Sequence, residues 1–181
     1  GSPASIYQAG APSPDPGILE LGLPVLGICY GLGVLTRAHG GAVSRAARRE
    51  YGPADLQVDC NEDLFAGLPR VLPVWMSHGD QVTELPRAFQ ALAHTENAPF
   101  AAVRHRERPL FAVQFHPEVA HTPRGKDILA NFLFRVAGCR PGWTMRSFVA
   151  ESVERIRETV GEEGRAICGL SGGVDSSVAA V

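Results

Sequence analysis

The sequence predicts a parallel-rich α/β domain over residues 1–138, then a linker helix and the first βα unit of a second domain over residues 139–181. Three observations carry that expectation. Short apolar strands bounded by Gly and Pro alternate with helical patterns. Glycine-rich turns twice join a strand to a helix. The periodicity breaks at Gly138 and restarts in a long amphipathic helix.

Taken in order, residues 15–23 read as a short amphipathic helix and residues 24–28 as a buried strand that ends at Cys29. A helical pattern over 32–39 follows, stopped by Gly40-Gly41, because glycine tolerates the left-handed conformation that closes helices. Strands are expected at 56–58, 71–76, 100–103 and 110–115, separated by glycine, proline and acidic loops; the last runs directly into His116-Pro117-Glu118. Thr122 is expected to cap the next helix with Pro123 in its first position. Ile128, Leu129, Phe132, Leu133 and Val136 would form its inner face, and Gly138 its end. Residues 139–142 read as a linker and 144–160 as an amphipathic helix; a strand over 165–170 would open the second unit.

With 181 residues, one sizeable core and the start of another can be buried. A hydrophobic fraction of 45% with 20% charged residues excludes a disordered or fibrous chain. The net charge of −2, with both signs interspersed, leaves no broad footprint for nucleic acid or an anionic membrane, so a small polar substrate is expected. Cys29, Cys60, Cys139 and Cys168 are far apart and form no CxxC pair, against a zinc site or a disulfide framework and in keeping with a reducing cytoplasm. No apolar run approaches the roughly 20 residues of a membrane span, and the first residues lack a signal-peptide pattern. Loop-like sequence at the start and an unfinished apolar run at 178–181 lead us to expect a native protein that extends in both directions.

Two constellations could carry chemistry. In Gly27-Ile28-Cys29-Tyr30-Gly31 a cysteine stands between a strand and a helix with a glycine two positions away on each side, as a nucleophile elbow requires; the helix N-terminus favours a thiolate. The competing reading is a buried structural cysteine. His116 favours the first, since its strand delivers the imidazole to the end of a sheet, and Pro117 turns the chain so that Glu118 reaches back to the same ring. Cys29, His116 and Glu118 then follow the general triad logic of nucleophile, base and orienting acid. Among the other histidines, His39, His94, His105 and His121 are read as surface or satisfied core residues, while His78, closing a strand in Ser77-His78-Gly79-Asp80, is intermediate.

The second constellation is Ser171-Gly172-Gly173-Val174-Asp175-Ser176-Ser177. Its glycines free backbone N–H groups for an anion, and its serines add hydroxyl donors ahead of a helix, so it suits a pyrophosphate. It lacks the lysine of a Walker P-loop, which disfavours a kinase or P-loop ATPase; the alternative is a plain Gly/Ser turn opening a helix.

These motifs, with Arg49-Glu50-Tyr51-Gly52, Trp75-Met76-Ser77-His78-Gly79-Asp80, Val113-Gln114-Phe115-His116-Pro117-Glu118 and Trp143-Thr144-Met145, resemble the glutamine-hydrolysing GMP synthase family along nearly the whole chain. The resemblance implies a class I glutamine amidotransferase (flavodoxin-like) sheet, incomplete at its N-terminus. The first βα unit of an adenine-nucleotide alpha-hydrolase-like domain would follow it. It also implies a cytoplasmic enzyme, a carbon-nitrogen ligase of purine biosynthesis that uses glutamine, ATP and XMP, with Mg2+ and no prosthetic group, and is a homodimer when complete. Cys29 would be the nucleophile, His116 the base and Glu118 its orienter. The backbone N–H groups of Tyr30 and of the loop at Gly1 would form the oxyanion hole; Ser77, Gly79 and Asp80 would hold glutamine; Ser171, Gly172, Gly173, Val174, Asp175, Ser176 and Ser177 would bind ATP. No metal ligands are assigned.

Two departures bear on activity. Gly33 stands where the family usually has a glutamine that contacts the substrate amide, and Ser2 where a second glycine is expected. Rival readings are another amidotransferase or cysteine hydrolase with the same triad, or a catalytically inactive fragment.

Overall fold

The computed structural model describes residues 5–142 and 144–181. Gly1, Ser2 and Trp143 therefore lie outside the described residues. The chain divides into two compact units, Gly1–Arg140 and Pro141–Val181.

In the first unit a short helix α1 (Gly17–Glu20) leads to β1 (Val25–Ile28) and α2 (Tyr30–Ala38). Strands β2 (Ala42–Val58), β3 (Val71–Glu84), β4 (Phe89–His94), β5 (Ala102–His105) and β6 (Leu110–Val113) follow, then α3 (Gly125–Ala130), which widens into a π-helical turn at Asn131–Val136. The six strands form one sheet in the order β1-β6-β5-β4-β2-β3.

β6 shows why a continuous apolar run is stable here. All four residues are buried. Leu110 and Ala112 pack into a cluster with Leu32, Leu35, Phe89 and Val103, whereas Phe111 and Val113 pack with Leu56, Phe65, Met76 and Ile128. The two-residue period thus sends alternate side chains to opposite faces, and both faces are covered.

Several expectations are corrected. The sheet is mixed and not parallel-rich: among the described residues only β1 and β6 pair in parallel, while β6-β5, β5-β4, β4-β2 and β2-β3 are antiparallel. The physical reason is connection length, since parallel neighbours need a long crossover and most of these strands are joined by short links. β4 has no counterpart among the expected strands. β2 extends far upstream of the expected 56–58, through a segment holding arginines, Gly52 and Pro53. Residues 42–56 of β2 are bonded to β3 alone, and that one-sided pairing lets Pro53 stand opposite Trp75 within a ladder.

Thr122 does not cap α3; its hydroxyl donates to the His116 carbonyl at 2.7 Å and accepts from the Trp75 N–H at 3.1 Å. Leu133, expected on the inner face, is 44% exposed because the π-helical turn rotates it away from the buried Ile128.

The second unit comprises α4 (Met145–Val160) and α5 (Val174–Ala180). The expected strand at 165–170 is absent among the described residues: Ile167 and Leu170 are exposed, and no strand lies beside them to complete a ladder.

Candidate active site

β1 and β6 run side by side in register from Val25↔Leu110 to Ile28↔Val113. The ladder continues one step further, with the Cys29 N–H donating to the Val113 carbonyl at 2.8 Å. The parallel pairing therefore brings Cys29 and the segment Gln114-Phe115-His116 to the same sheet end, the C-terminal one, where open α/β sheets carry their sites.

Cys29 occupies φ 51°, ψ −98°, an unfavourable conformation for a residue with a side chain. Such a backbone costs on the order of 1–3 kcal/mol and persists only when its surroundings enforce it. Here Gly27 allows the sharp turn. A Cβ on Gly27 would lie 2.8 Å from the Gly31 carbonyl carbon and oxygen and 3.2 Å from Leu35, so only glycine lets the strand pass that close to α2.

The thiol donates to the Ser77 carbonyl at 3.5 Å, and the Gln114 amide lies 3.9 Å from Sγ. Burial pushes the Cys29 thiol up, opposed by a hydrogen bond from the Tyr30 backbone N–H and by the Gln114 amide.

His116 lines the same cleft as Cys29. Its Nδ1 meets Glu118 Oε1 at 2.7 Å, which places the ring proton on Nδ1 and leaves Nε2 as the proton acceptor. Its backbone is fixed at both ends: the N–H donates to the Trp75 carbonyl at 3.0 Å and the carbonyl accepts from Thr122. Gly125 permits this packing, because a Cβ there would meet the Pro117 carbonyl oxygen at 2.0 Å.

Cys29, Tyr30, Ser77, Gly79, Asp80 and His116 all line one cleft of about 800 Å³. Glu118 is joined to it through His116. The Asp80 carboxylate accepts from the Ser5 and Tyr7 hydroxyls at 3.0 Å each, both on Oδ1. Above Gly33, where the resemblance leads one to expect glutamine, Ile6 fills the space: its Cδ1 lies 3.4 Å from where a Cβ would be. Gly1, expected at the oxyanion hole, falls outside the described residues.

The second constellation lies in the second unit. Ser171 Oγ and Ser176 Oγ are 3.0 Å apart, the Gly173 N–H donates to Ser171 Oγ at 3.4 Å, and the Ser177 hydroxyl donates to the Gly173 carbonyl at 2.9 Å. Gly172 adopts φ 80°, and Val174 and Asp175 open α5. Among the described residues no group of three His, Cys, Asp or Glu side chains could hold a metal ion.

The sequence alone does not single out Gln114, Thr122 and Gly125 as site-building residues, nor Arg45 and Arg49 as cleft-lining ones. The signals it holds for them are the motifs Val113-Gln114-Phe115-His116-Pro117-Glu118 and Arg49-Glu50-Tyr51-Gly52, with arginines at 45, 48 and 49.

A cysteine at a strand-to-helix turn and a carboxylate-held histidine thus stand beyond the ends of parallel neighbours. Residues 1–136 match the family described as glutamine amidotransferase class-I. The chain belongs to that family. It is 51% identical over 180 residues to the GMP synthase [glutamine-hydrolyzing] of Thermobifida fusca, which matches 99% of this chain and 34% of that protein. The Aquifex aeolicus enzyme of the same name is 51% identical over 181 residues, covering 100% of this chain and 35% of its own length. The chain thus spans about a third of the curated relatives it matches.

Two solved structures agree in fold. A Thermoplasma acidophilum protein provisionally assigned to GMP synthase superposes with a TM-score of 0.64 at 31% identity, over 76% of this chain and 64% of that one. A glutamine amidotransferase from Thermotoga maritima gives 0.54 at 25% identity, over 79% and 60%.

Proposed function

We propose that this chain is the glutamine-hydrolysing part of a GMP synthase and carries the beginning of that enzyme's ATP-pyrophosphatase domain. The observation that supports this most strongly is the alignment of β1 with β6, which delivers an elbow cysteine and a carboxylate-bound histidine into one cleft.

In this reading His116 Nε2 takes the Cys29 proton and the sulfur attacks the side-chain amide carbon of glutamine. The oxyanion forms near the Tyr30 N–H. As the C–N bond breaks, His116 returns the proton to the departing nitrogen, ammonia leaves, and a γ-glutamyl thioester remains on Cys29. His116 next deprotonates a water that attacks the thioester; the S–C bond breaks, glutamate leaves, and the thiol regains its proton. Glu118 holds the His116 tautomer throughout, and Ser77, Gly79 and Asp80 hold the amino-acid end of the substrate.

In the larger reading, the ammonia aminates XMP that has been adenylylated by ATP. The loop of Ser171, Gly172, Gly173, Asp175, Ser176 and Ser177 fits the pyrophosphate by donor chemistry, since hydroxyls and backbone N–H groups suit an anion. Mg2+ belongs to this reading as the counter-ion of ATP, and no ligands are assigned to it. A cytoplasmic homodimer belongs to this proposal. Among the described residues no helix is long and apolar enough to cross a membrane.

A diazoketone analogue of glutamine tests the site. The predicted result is one adduct, on the Cys29 peptide, with Cys60, Cys139 and Cys168 unmodified; equal labelling of all four would refute an activated site. The larger assignment is tested in the full-length gene product. Cys29→Ala should abolish amination of XMP with glutamine yet preserve it with free ammonia, and loss of both would refute it.

A further inference from the structure

β3 lies at one end of the sheet, bonded to β2 on one edge and, among the described residues, to no strand on the other. Such an edge carries N–H and C=O groups that the fold must cover. Pro53 decides which of them are free at the site. It stands opposite Trp75 and has no N–H to exchange, so Trp75 belongs to the kind of pair that turns its backbone groups outward. Ser77, two residues on, is turned the same way, because the two kinds of pair alternate along an antiparallel ladder.

Those outward groups are taken up by both members of the reacting pair. The Ser77 carbonyl accepts from the Cys29 thiol at 3.5 Å. The Trp75 carbonyl accepts from the His116 N–H at 3.0 Å, and the Trp75 N–H donates to Thr122 Oγ1 at 3.1 Å. Thr122 completes the ring of contacts, since the same hydroxyl donates to the His116 carbonyl at 2.7 Å. A hydroxyl has one proton to give and lone pairs with which to accept, and here it does both at once. The residue is only 4% exposed, so solvent does not replace a partner that is removed.

Building on the proposed function, we infer that the outer edge of β3 sets the separation of thiol and imidazole, and that Thr122 is the positioning residue that holds the base against that edge. Thr122 does not line the cleft; it acts through the backbone of His116. Glu118 fixes which nitrogen of the ring carries the proton, whereas Thr122 fixes where the ring stands. Misplacing a catalytic group by about 1 Å can cost about a hundredfold in rate. A base that drifts in this way slows the chemical step without loosening the substrate, so the loss falls on kcat and not on KM.

The test is steady-state hydrolysis of glutamine by variants that separate the hydroxyl from the shape of the side chain, each first shown to be folded by near-UV circular dichroism. Thr122→Val keeps the branched shape and loses the hydroxyl; Thr122→Ser keeps the hydroxyl and loses the methyl group. The inference predicts a kcat at least about tenfold lower in Thr122→Val with KM within about twofold, and a kcat within about threefold of the unaltered chain in Thr122→Ser. A side chain that merely fills space gives the reverse order, with Thr122→Val the more active. That order, or a loss in Thr122→Val carried by KM alone, would overturn the inference while leaving the proposed function standing. Should Thr122→Val fail to fold, Thr122→Ala carries the test. It lacks the methyl group as Thr122→Ser does, so its kcat should lie at least about tenfold below that of Thr122→Ser, and equal values would overturn the inference. Absence of Cys29-dependent glutamate release from the unaltered chain would overturn both.

Discussion

Glu50 and His78 meet in the interior at 3.0 Å, Oε2 to Nε2, with side chains only 10% and 3% exposed. The other ring nitrogen of His78 lies 2.9 Å from the Asp80 carbonyl, and the Glu50 carboxylate also accepts from Thr95 and Asn97. This network ties the strand bearing Ser77, Gly79 and Asp80 to the turn after β4. Removing its acceptor strands several buried donors, at about 1–3 kcal/mol for each group left unsatisfied. Glu50→Ala should therefore lower the urea midpoint sharply with an unchanged slope. A loss under about 1 kcal/mol would show that the network is not structural.

Gly125 tests the seating of the base. The Pro117 carbonyl leaves no room for a methyl group at that position, so Gly125→Ala should displace the His116-Pro117-Glu118 turn. The expected outcome is a folded chain, by far-UV circular dichroism, that releases far less glutamate from glutamine. Unchanged turnover would mean that the turn is not held by this packing.

His105 should make stability fall on the acid side. Its Nδ1 accepts from the N–H groups of Glu107 and Arg108 at 3.1 and 3.0 Å, an arrangement only the neutral ring can make. Burial pulls its pKa down, as do the neighbouring His39 and Arg108, against the opposing pull of Glu107. The unfolded chain therefore holds this proton more tightly. The contribution is complete above the ordinary histidine value near 6.5 and is lost as pH falls below it. Melting temperatures from pH 8 to 5 should drop less in His105→Asn than in the unaltered chain, and parallel profiles would contradict this.

Gly33 should be replaceable. It lies inside α2, and a methyl group there would make ordinary contacts with Ile6, 3.4 Å from Cδ1 and 3.5 Å from Cγ2. Glycine costs about 1 kcal/mol relative to alanine in a helix interior, so Gly33→Ala should raise the melting temperature. A lower value would show that Ile6 cannot yield.

Much of the site is legible in the sequence because its signals are local. The Gly27-to-Gly31 spacing encodes a turn that needs small residues, and His116-Pro117-Glu118 encodes a turn that folds an acid onto a ring. What escapes is non-local. Upstream of Leu56, β2 escapes because residues 42–56 are paired on one side only, so the strand tolerates Gly52 and Pro53, which locally signal a turn. The bulge that residues 46–49 form opposite Gly79 exists only relative to that other strand. Thr122, beside Pro123, has the local pattern of a helix cap, but a stronger use of its hydroxyl, clamping Trp75 and His116, is set by the tertiary fold. Residues 165–170 show the converse, a strand-like sequence without a neighbour to pair with.

The most direct measurement is the release of glutamate and ammonia from glutamine by the purified chain beside its Cys29→Ala variant. The account predicts equal amounts of both products from the unaltered chain and only background from the variant. Release that persists in Cys29→Ala would contradict it, because the hydrolysis would then run without the thiol to which the nucleophile's role is assigned.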